Sequence, residues 1–158
     1  MRHAAGADRA RDRGGDYGAA QAVIEIAARG IVTGKASGPA LVSAEAVSFL
    51  GDVDIRSGRV VGDLPSVRNA SLRGTVLIMP YTRGSAGAWR FLYQLFRHDN
   101  HPVAIITNAV PDPSVVQGAI LAGIPVVCEP ASPIEDATSN GQRVEVEVDG
   151  TQGRVRIF

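Results

Sequence analysis

Cysteine is nearly absent from this sequence, since its 158 residues include one, Cys128. One cysteine forms no internal disulfide and cannot by itself hold an iron–sulfur cluster or a cysteine-type zinc site. The histidines, His3, His98 and His101, are not spaced as metal ligands, so we expect no metal on this chain. A chain without disulfides is typical of a reducing compartment, and we expect a cytoplasmic protein.

Excess charge and long apolar runs are also missing. Lys and Arg total 16 and Asp and Glu total 16, which gives no electrostatic reason to expect nucleic acid or an anionic membrane as partner. No apolar run approaches the roughly 20 residues of a membrane span. Residues 1–21 lack the apolar segment of a secretory signal and offer little to bury, so we predict a flexible tail there and a single domain over 22–158.

The patterning that is present predicts an α/β fold with a β-rich first half. Residues 22–42 alternate between apolar and polar but are interrupted by glycines, which indicates short strands that bend. Residues 54–58 read as a turn, followed by a strand at 59–61. Two alternating runs near the end, RVEVEV and RVRIF, predict a closing hairpin.

A short parallel β/α/β/α/β core is predicted between these parts. Three apolar runs, TVLIM, PVAIITN and IPVVCE, are typical of strands buried on both faces. Helical spacing separates them, first at 88–96 and then in DPSVVQGAILAG, where Asp112 can cap the helix and Gly123 can end it.

The segment TRGSAG follows the first of these buried strands and precedes the first helix. The carboxyl ends of parallel strands are where open α/β sheets bind ligands, and free N–H groups at a helix start favour an anion. Arg83, Gly84, Ser85, Ala86 and Gly87 are therefore candidate site residues. The alternative is that Ser85 only caps the helix in a glycine-rich turn.

Three longer stretches make the chain resemble a known family. They are GKASGPALVSAEAVSFLGDVDIRSGRVV, LRGTVLIMPYTRGSAGAW and PVAIITNAVPDPSVVQGAILAGIPVV. In the same order and spacing, over about residues 28–130, they resemble the small subunit of the aconitase X family. That subunit looks like the swivelling β/β/α domain of aconitase-type dehydratases.

The resemblance implies a hydro-lyase that is active only with a large subunit. An iron–sulfur cluster, held by the large subunit, would act on the leaving hydroxyl of a hydroxy acid. The catalytic base of such enzymes is a serine after a glycine, which corresponds to Ser85. Arg83 would supply a nearby cation or bind a substrate carboxylate. Ala86 stands where the family commonly has a second serine, and Gly87 where aconitase has an arginine.

Several further residues have both a functional and a structural interpretation. Asp54 either borders the site or bonds to its own backbone in a turn. Ser37 and Gly38 either form a loop at the rim of the cleft or a plain turn. Asn108 follows a buried strand and either reaches the cleft or caps the next loop. Cys128 is expected to be a small core residue.

The resemblance implies one of two hydroxy acids as substrate, and the loss of the second serine at Ala86 leaves open a third, unassigned hydroxy acid. The lack of a dense Lys/Arg cluster for a phosphate favours cis-3-hydroxy-L-proline over a phosphorylated mevalonate. A non-enzymatic swivelling domain that binds a partner or a small anion is the alternative from another class.

Overall fold

The structure is a computed structural model and describes residues 22–158. The predicted tail at 1–21 lies outside the described residues. Within residues 22–158, seven strands form a closed barrel in the order β1-β5-β4-β3-β2-β6-β7. Their bounds are β1 Ile24–Val32, β2 Gly34–Val42, β3 Val76–Met79, β4 Ala104–Thr107, β5 Val126–Cys128, β6 Arg143–Asp149 and β7 Gln152–Ile157.

The predicted parallel core is confirmed. β2, β3, β4 and β5 are neighbours, and each adjacent pair is parallel. Every residue of β3, β4 and β5 is buried, because helices cover one face of these strands and the barrel interior covers the other. The helices are α1 (Ala88–Arg97), α2 (Pro113–Ala122) and a short α3 (Ile134–Ala137), which the sequence did not predict.

Two apolar clusters correspond to the two faces of these strands. In β3, Leu77 and Met79 pack with the α1 residues Leu92 and Leu95 in the outer cluster. Ile78, between them in sequence, packs inside the barrel among the valines of the hairpin. Successive side chains of a strand point to opposite faces, so one apolar run supplies both clusters. Leu92 and Leu95 are fully buried. The other residues of the predicted helix face are only half-buried, namely Trp89, Tyr93 and Phe96.

Closure into a barrel is the main feature that the patterning did not predict. β1 pairs antiparallel with β5 on one side and with β7 on the other, so it joins the parallel strands to the hairpin. β2 does the same on the opposite side, with β3 parallel and β6 antiparallel. The prediction of short strands was wrong, because each of these two strands runs for nine residues. The register of β1 against β5 does shift between Gly30 and Val32, at one of the interrupting glycines.

The segment between β2 and β3 contains little regular structure. A 3-10 turn covers Pro65–Val67, and the predicted strand at 59–61 is reduced to isolated bridges, Val53 with Val60 and Arg59 with Ser71. The predicted hairpin of β6 and β7 is confirmed, with every second residue of β6 buried. None of the described helices is long and apolar enough to cross a membrane.

Candidate functional site

The loop between β3 and α1 presents Ser85 at the carboxyl edge of the parallel strands. β3 ends at Met79 and α1 begins at Ala88. Residues 83–86 are exposed, whereas the strand before them is buried. Ser85 thus lies between a buried strand and the start of a helix, as the sequence predicted. Loops from several neighbouring strands meet at this edge.

Five consecutive N–H groups in this loop, those of residues 83–87, donate no hydrogen bond to any residue of the described chain. The Ser85 hydroxyl has no partner there either. An unpaired row of N–H groups at the positive end of a helix dipole favours a negatively charged group. The loop can therefore stabilise an anion at or beside the Ser85 oxygen.

Helix α1 does not use the Ser85 hydroxyl as its cap. Its N-cap residue is Gly87, with no side-chain cap. The Ser85 carbonyl accepts the Ala88 N–H at 3.0 Å, and the Trp89 N–H donates to the hydroxyl of Ser114 at 3.0 Å. The capping interpretation of the Ser85 side chain was therefore wrong, because another helix supplies the hydroxyl.

Arg83 is the charged residue of this loop. Its side chain is exposed and forms no ion pair within residues 22–158. A guanidinium without a carboxylate partner can bind a substrate carboxylate through two parallel hydrogen bonds.

Asn108 is brought to the same edge. It directly follows β4, and its N–H donates to the carbonyl of Pro80 at 3.1 Å. Its side-chain amide nitrogen donates to Oε1 of Glu135 at 3.2 Å. The amide oxygen of the Asn108 side chain accepts no hydrogen bond from residues 22–158. Asn108 therefore lies beside the segment that leads to Ser85.

A cavity of about 490 Å³ lies beside Asn108, between the ends of β2, β3 and β4 and helix α3. Its lining includes Pro80, three serines, Asn140 and one acidic residue, and it contains no Lys or Arg. Ser85 and Arg83 are not among its lining residues. Pro80 therefore lines the cavity and, in sequence, precedes the Ser85 loop.

Asp54 is not brought to this edge. Its carboxylate accepts hydrogen bonds from the N–H (3.0 Å) and the hydroxyl (2.6 Å) of Ser57. The hydroxyl bond is the main reason that the pKa of Asp54 lies below its usual value. Asn100, just beyond the far end of α1, holds this turn through the carbonyl of Ile55. Helix α1, whose ten residues span about 15 Å, separates this turn from Ser85. The turn interpretation of Asp54 is the one that fits.

Ser37 and Gly38 do not form a loop, and that prediction was wrong. Both lie inside β2, where they pair with Glu145 and Val144 of β6. The Ser37 hydroxyl accepts a hydrogen bond from Arg143 at 3.0 Å. They precede the point where β2 meets the start of β3, so they lie at the amino edge of the parallel strands, opposite Ser85.

Asp112 and Ser114 belong to the site region but were not identified as such. Asp112 occupies the N-cap position of α2, as predicted, but its side chain makes no capping hydrogen bond. Its Oδ2 instead accepts a hydrogen bond from the hydroxyl of Thr82 at 2.8 Å. Ser114 donates to the carbonyl of Ala86 at 3.2 Å. These contacts join residues 28 and 30 positions apart, so no local pattern could reveal them.

Cys128 is fully buried at the end of β5, as expected of a core residue. Burial, aided by the charge of Glu129, raises the pKa of its thiol, which disfavours the thiolate that binds metals. No group of three or more metal-binding side chains occurs within residues 22–158.

The fold and the loop together define a class of protein: a strand-rich α/β barrel that presents an exposed serine and unpaired N–H groups at one edge. The chain belongs to the aconitase X swivel domain family, whose pattern matches residues 25–157.

Curated relatives and solved structures agree with this family. The phosphomevalonate dehydratase small subunit of Methanothermobacter thermautotrophicus is 39% identical over 85% of this chain and 100% of its own length. The subunit of that name from Methanocella arvoryzae is 38% identical over 85% of this chain and 99% of its own. The crystal structure of Thermococcus kodakaraensis aconitase X has a TM-score of 0.76 at 32% identity, covering 85% of this chain and 98% of the other. A solution NMR structure of a UPF0107 protein has a TM-score of 0.77 at 32% identity, with 85% and 99% covered.

Proposed function

We propose that this chain is the small subunit of a two-subunit hydro-lyase that dehydrates a hydroxy acid, with Ser85 as the catalytic base. The observation that carries the proposal is the exposed Ser85 hydroxyl beside five N–H groups that have no acceptor in residues 22–158. Family membership and the names of the relatives support a dehydratase.

The chemistry explains why a serine needs these surroundings. A neutral serine is a poor base, so Ser85 acts as an alkoxide whose charge the N–H groups of residues 83–87 stabilise. The alkoxide removes a proton from one carbon of the substrate, and the hydroxyl leaves from the adjacent carbon as the double bond forms. Arg83 binds the substrate carboxylate and adds positive charge near the oxygen.

An iron–sulfur cluster on the large subunit is part of this proposal. When bound, such a cluster supplies a Lewis acid for the leaving hydroxyl. The residues of this chain do not fit as its ligands, because Cys128 is buried and its thiol pKa is raised by that burial. The chain's own contribution is therefore the base, the anion contacts and one wall that excludes water.

Two substrates deserve testing. A phosphorylated mevalonate comes first, because the relatives carry that name. cis-3-Hydroxy-L-proline comes second, and one observation favours it: the cavity beside Asn108 is lined by no Lys or Arg, which a phosphate would attract.

The test is reconstitution with the large subunit. We expect the tagged chain, co-expressed with its large subunit, to purify as a brown complex that dehydrates one of the two substrates. Each subunit alone should have no activity. A colourless, monomeric chain in the presence of the large subunit would instead support the non-enzymatic alternative, and dehydration by this chain alone would contradict a shared site.

A further inference from the structure

The first turn of α2 contacts the Ser85 loop on both sides of the serine. On the upstream side, the Thr82 hydroxyl donates to Oδ2 of Asp112 at 2.8 Å, and Oγ1 of Thr82 in turn accepts the backbone N–H of Asp112 at 2.8 Å. Thr82 is buried, with 8% of its surface exposed. The pair is therefore reciprocal and largely shielded from water, which strengthens it.

Gly84 fits closely against the same carboxylate. A β-carbon at Gly84 would lie 3.1 Å from both Cβ and Oδ2 of Asp112. The backbone just before Ser85 is thus packed against the Asp112 side chain, which does not cap its own helix.

On the downstream side, Ser114 makes two contacts. Its hydroxyl donates to the carbonyl of Ala86 at 3.2 Å and accepts the N–H of Trp89 at 3.0 Å. One helical turn further on, a β-carbon at Gly118 would lie 3.0 Å from Cα of Trp89, so α1 and α2 approach closely here. This approach keeps Ser114 within reach of the loop.

We propose that Thr82, Asp112 and Ser114 are positioning residues that fix the Ser85 loop and thereby hold the hydroxyl and its N–H groups in place. The contacts fix residues 82, 84, 86 and 89 and leave the Ser85 side chain free of protein partners within residues 22–158. The expected effect of these residues on catalysis rests on the proposed role of Ser85. Their expected effect on the order of the loop does not.

The kinetic test uses the two-subunit enzyme with phosphomevalonate and with cis-3-hydroxy-L-proline. Thr82→Val and Ser114→Ala each delete a hydroxyl, and both should lower kcat about 10- to 100-fold with a change in KM below about threefold. Thr82→Ser and Ser114→Thr keep the hydroxyl and should restore most of kcat.

Thr75→Val is the matched control. Thr75 flanks the other end of β3, is also 8% exposed and donates to the carbonyl of Leu72 at 2.8 Å. Loss of the Thr75 hydroxyl should leave the kcat of the folded enzyme within about twofold of that of the unchanged enzyme. Equal losses for Thr75→Val and Thr82→Val would overturn the proposal, because they would indicate a general effect on stability.

Combining these changes with Ser85→Ala distinguishes a failure of this proposal from a failure of the proposed role of Ser85. If Ser85→Ala removes turnover, Ser114→Ala should lower the residual rate no further, and an equal additional loss would overturn positioning through Ser85. If Ser85→Ala leaves turnover normal, the proposed base is wrong.

The order of the Ser85 loop is tested separately, by a measurement that does not depend on enzyme activity. In two-dimensional NMR spectra of the full-length chain, Thr82→Val and Ser114→Ala should make the amides of residues 84–87 more mobile, and Thr75→Val should not. Unchanged amide dynamics in the first two variants would overturn the proposal.

Discussion

The two ends of the parallel strands differ in how their polar groups are used. At the amino end, the Gly74 N–H donates to the carbonyl of His101 at 3.1 Å, and the Thr75 hydroxyl donates to that of Leu72 at 2.8 Å. Gly38 packs so closely that a β-carbon would collide with the carbonyl oxygen of Gly74. These groups satisfy one another.

At the carboxyl end, the N–H groups of residues 83–87 find no acceptor in residues 22–158. Unpaired backbone groups cost stability when a partner covers them without replacing the lost water contacts. The amino edge therefore stabilises the barrel, whereas the carboxyl edge leaves its donors open for a ligand or a partner.

The largest expected effect concerns activity at the carboxyl edge. Ser85→Ala should lower kcat of the two-subunit enzyme by about 10²- to 10⁴-fold, the usual contribution of a positioned base. The exposed side chain has no partner within residues 22–158, so thermal unfolding should be unchanged. Near-normal turnover would exclude Ser85 as the base.

The next effect concerns stability at the amino edge. Gly38→Ala should lower the free energy of unfolding by about 1–3 kcal/mol, because the new methyl group overlaps the Gly74 carbonyl. The matched change is Gly87→Ala at the carboxyl edge, where a β-carbon has nothing within 4 Å and φ is −92°. It should cost less than about 1 kcal/mol in urea unfolding. Similar losses for both would contradict this difference between the two edges.

A smaller effect is expected from Arg83→Lys. A point charge replaces a planar fork, so KM should rise on the order of tenfold while kcat falls less. Because Arg83 has no ion pair in the described chain, stability should not change. Unchanged steady-state kinetics would exclude a carboxylate contact.

The smallest effect concerns the pH dependence of stability at the amino edge. Nδ1 of His101 is buried without a partner in the described chain, and burial lowers the pKa of His101 although the charge of Asp99 opposes this. The unfolded chain therefore takes up a proton first as the pH falls below about 6.5, which lowers the free energy of unfolding toward the folded-state pKa.

His101→Phe should flatten this dependence below about pH 6.5, the ordinary pKa of histidine. The ring can still pack on Phe96, whose centroid lies 5.2 Å from the imidazole. Denaturant unfolding at several pH values measures the slope, and a slope identical to that of the unchanged chain would exclude His101 as its source.

Much of the fold could be predicted because its signals are local. The buried strands and the hairpin follow from runs of apolar and alternating residues, and the end of α2 at Gly123 follows from a left-handed position, with φ at 70°. The barrel closure could not be predicted, since β1 meets β5 and β7 about 100 or more residues later in the chain. Gly38 was assigned to a possible loop because the Gly74 carbonyl that crowds it belongs to another part of the sequence, and local patterning does not reveal such a contact.

The position of Ser85 could be predicted for the same local reason, since a strand, a glycine-rich segment and a helix follow one another. The residues that hold its loop could not. Asp112 has the sequence of a helix cap, yet its carboxylate contacts Thr82, which lies in another loop. Pairing between loops depends on how strands are ordered, and only the folded barrel determines that order.

Under the proposed function, the open donors of the carboxyl edge complete a site shared with a partner subunit. Hydrogen exchange of the full-length chain, with and without the large subunit, tests it most directly. We predict that amides of residues 83–87 exchange rapidly in the free chain and slowly in the complex, while that of Gly74 is unchanged. Rapid exchange of residues 83–87 in both, with protection only at the amino edge, would contradict the claim.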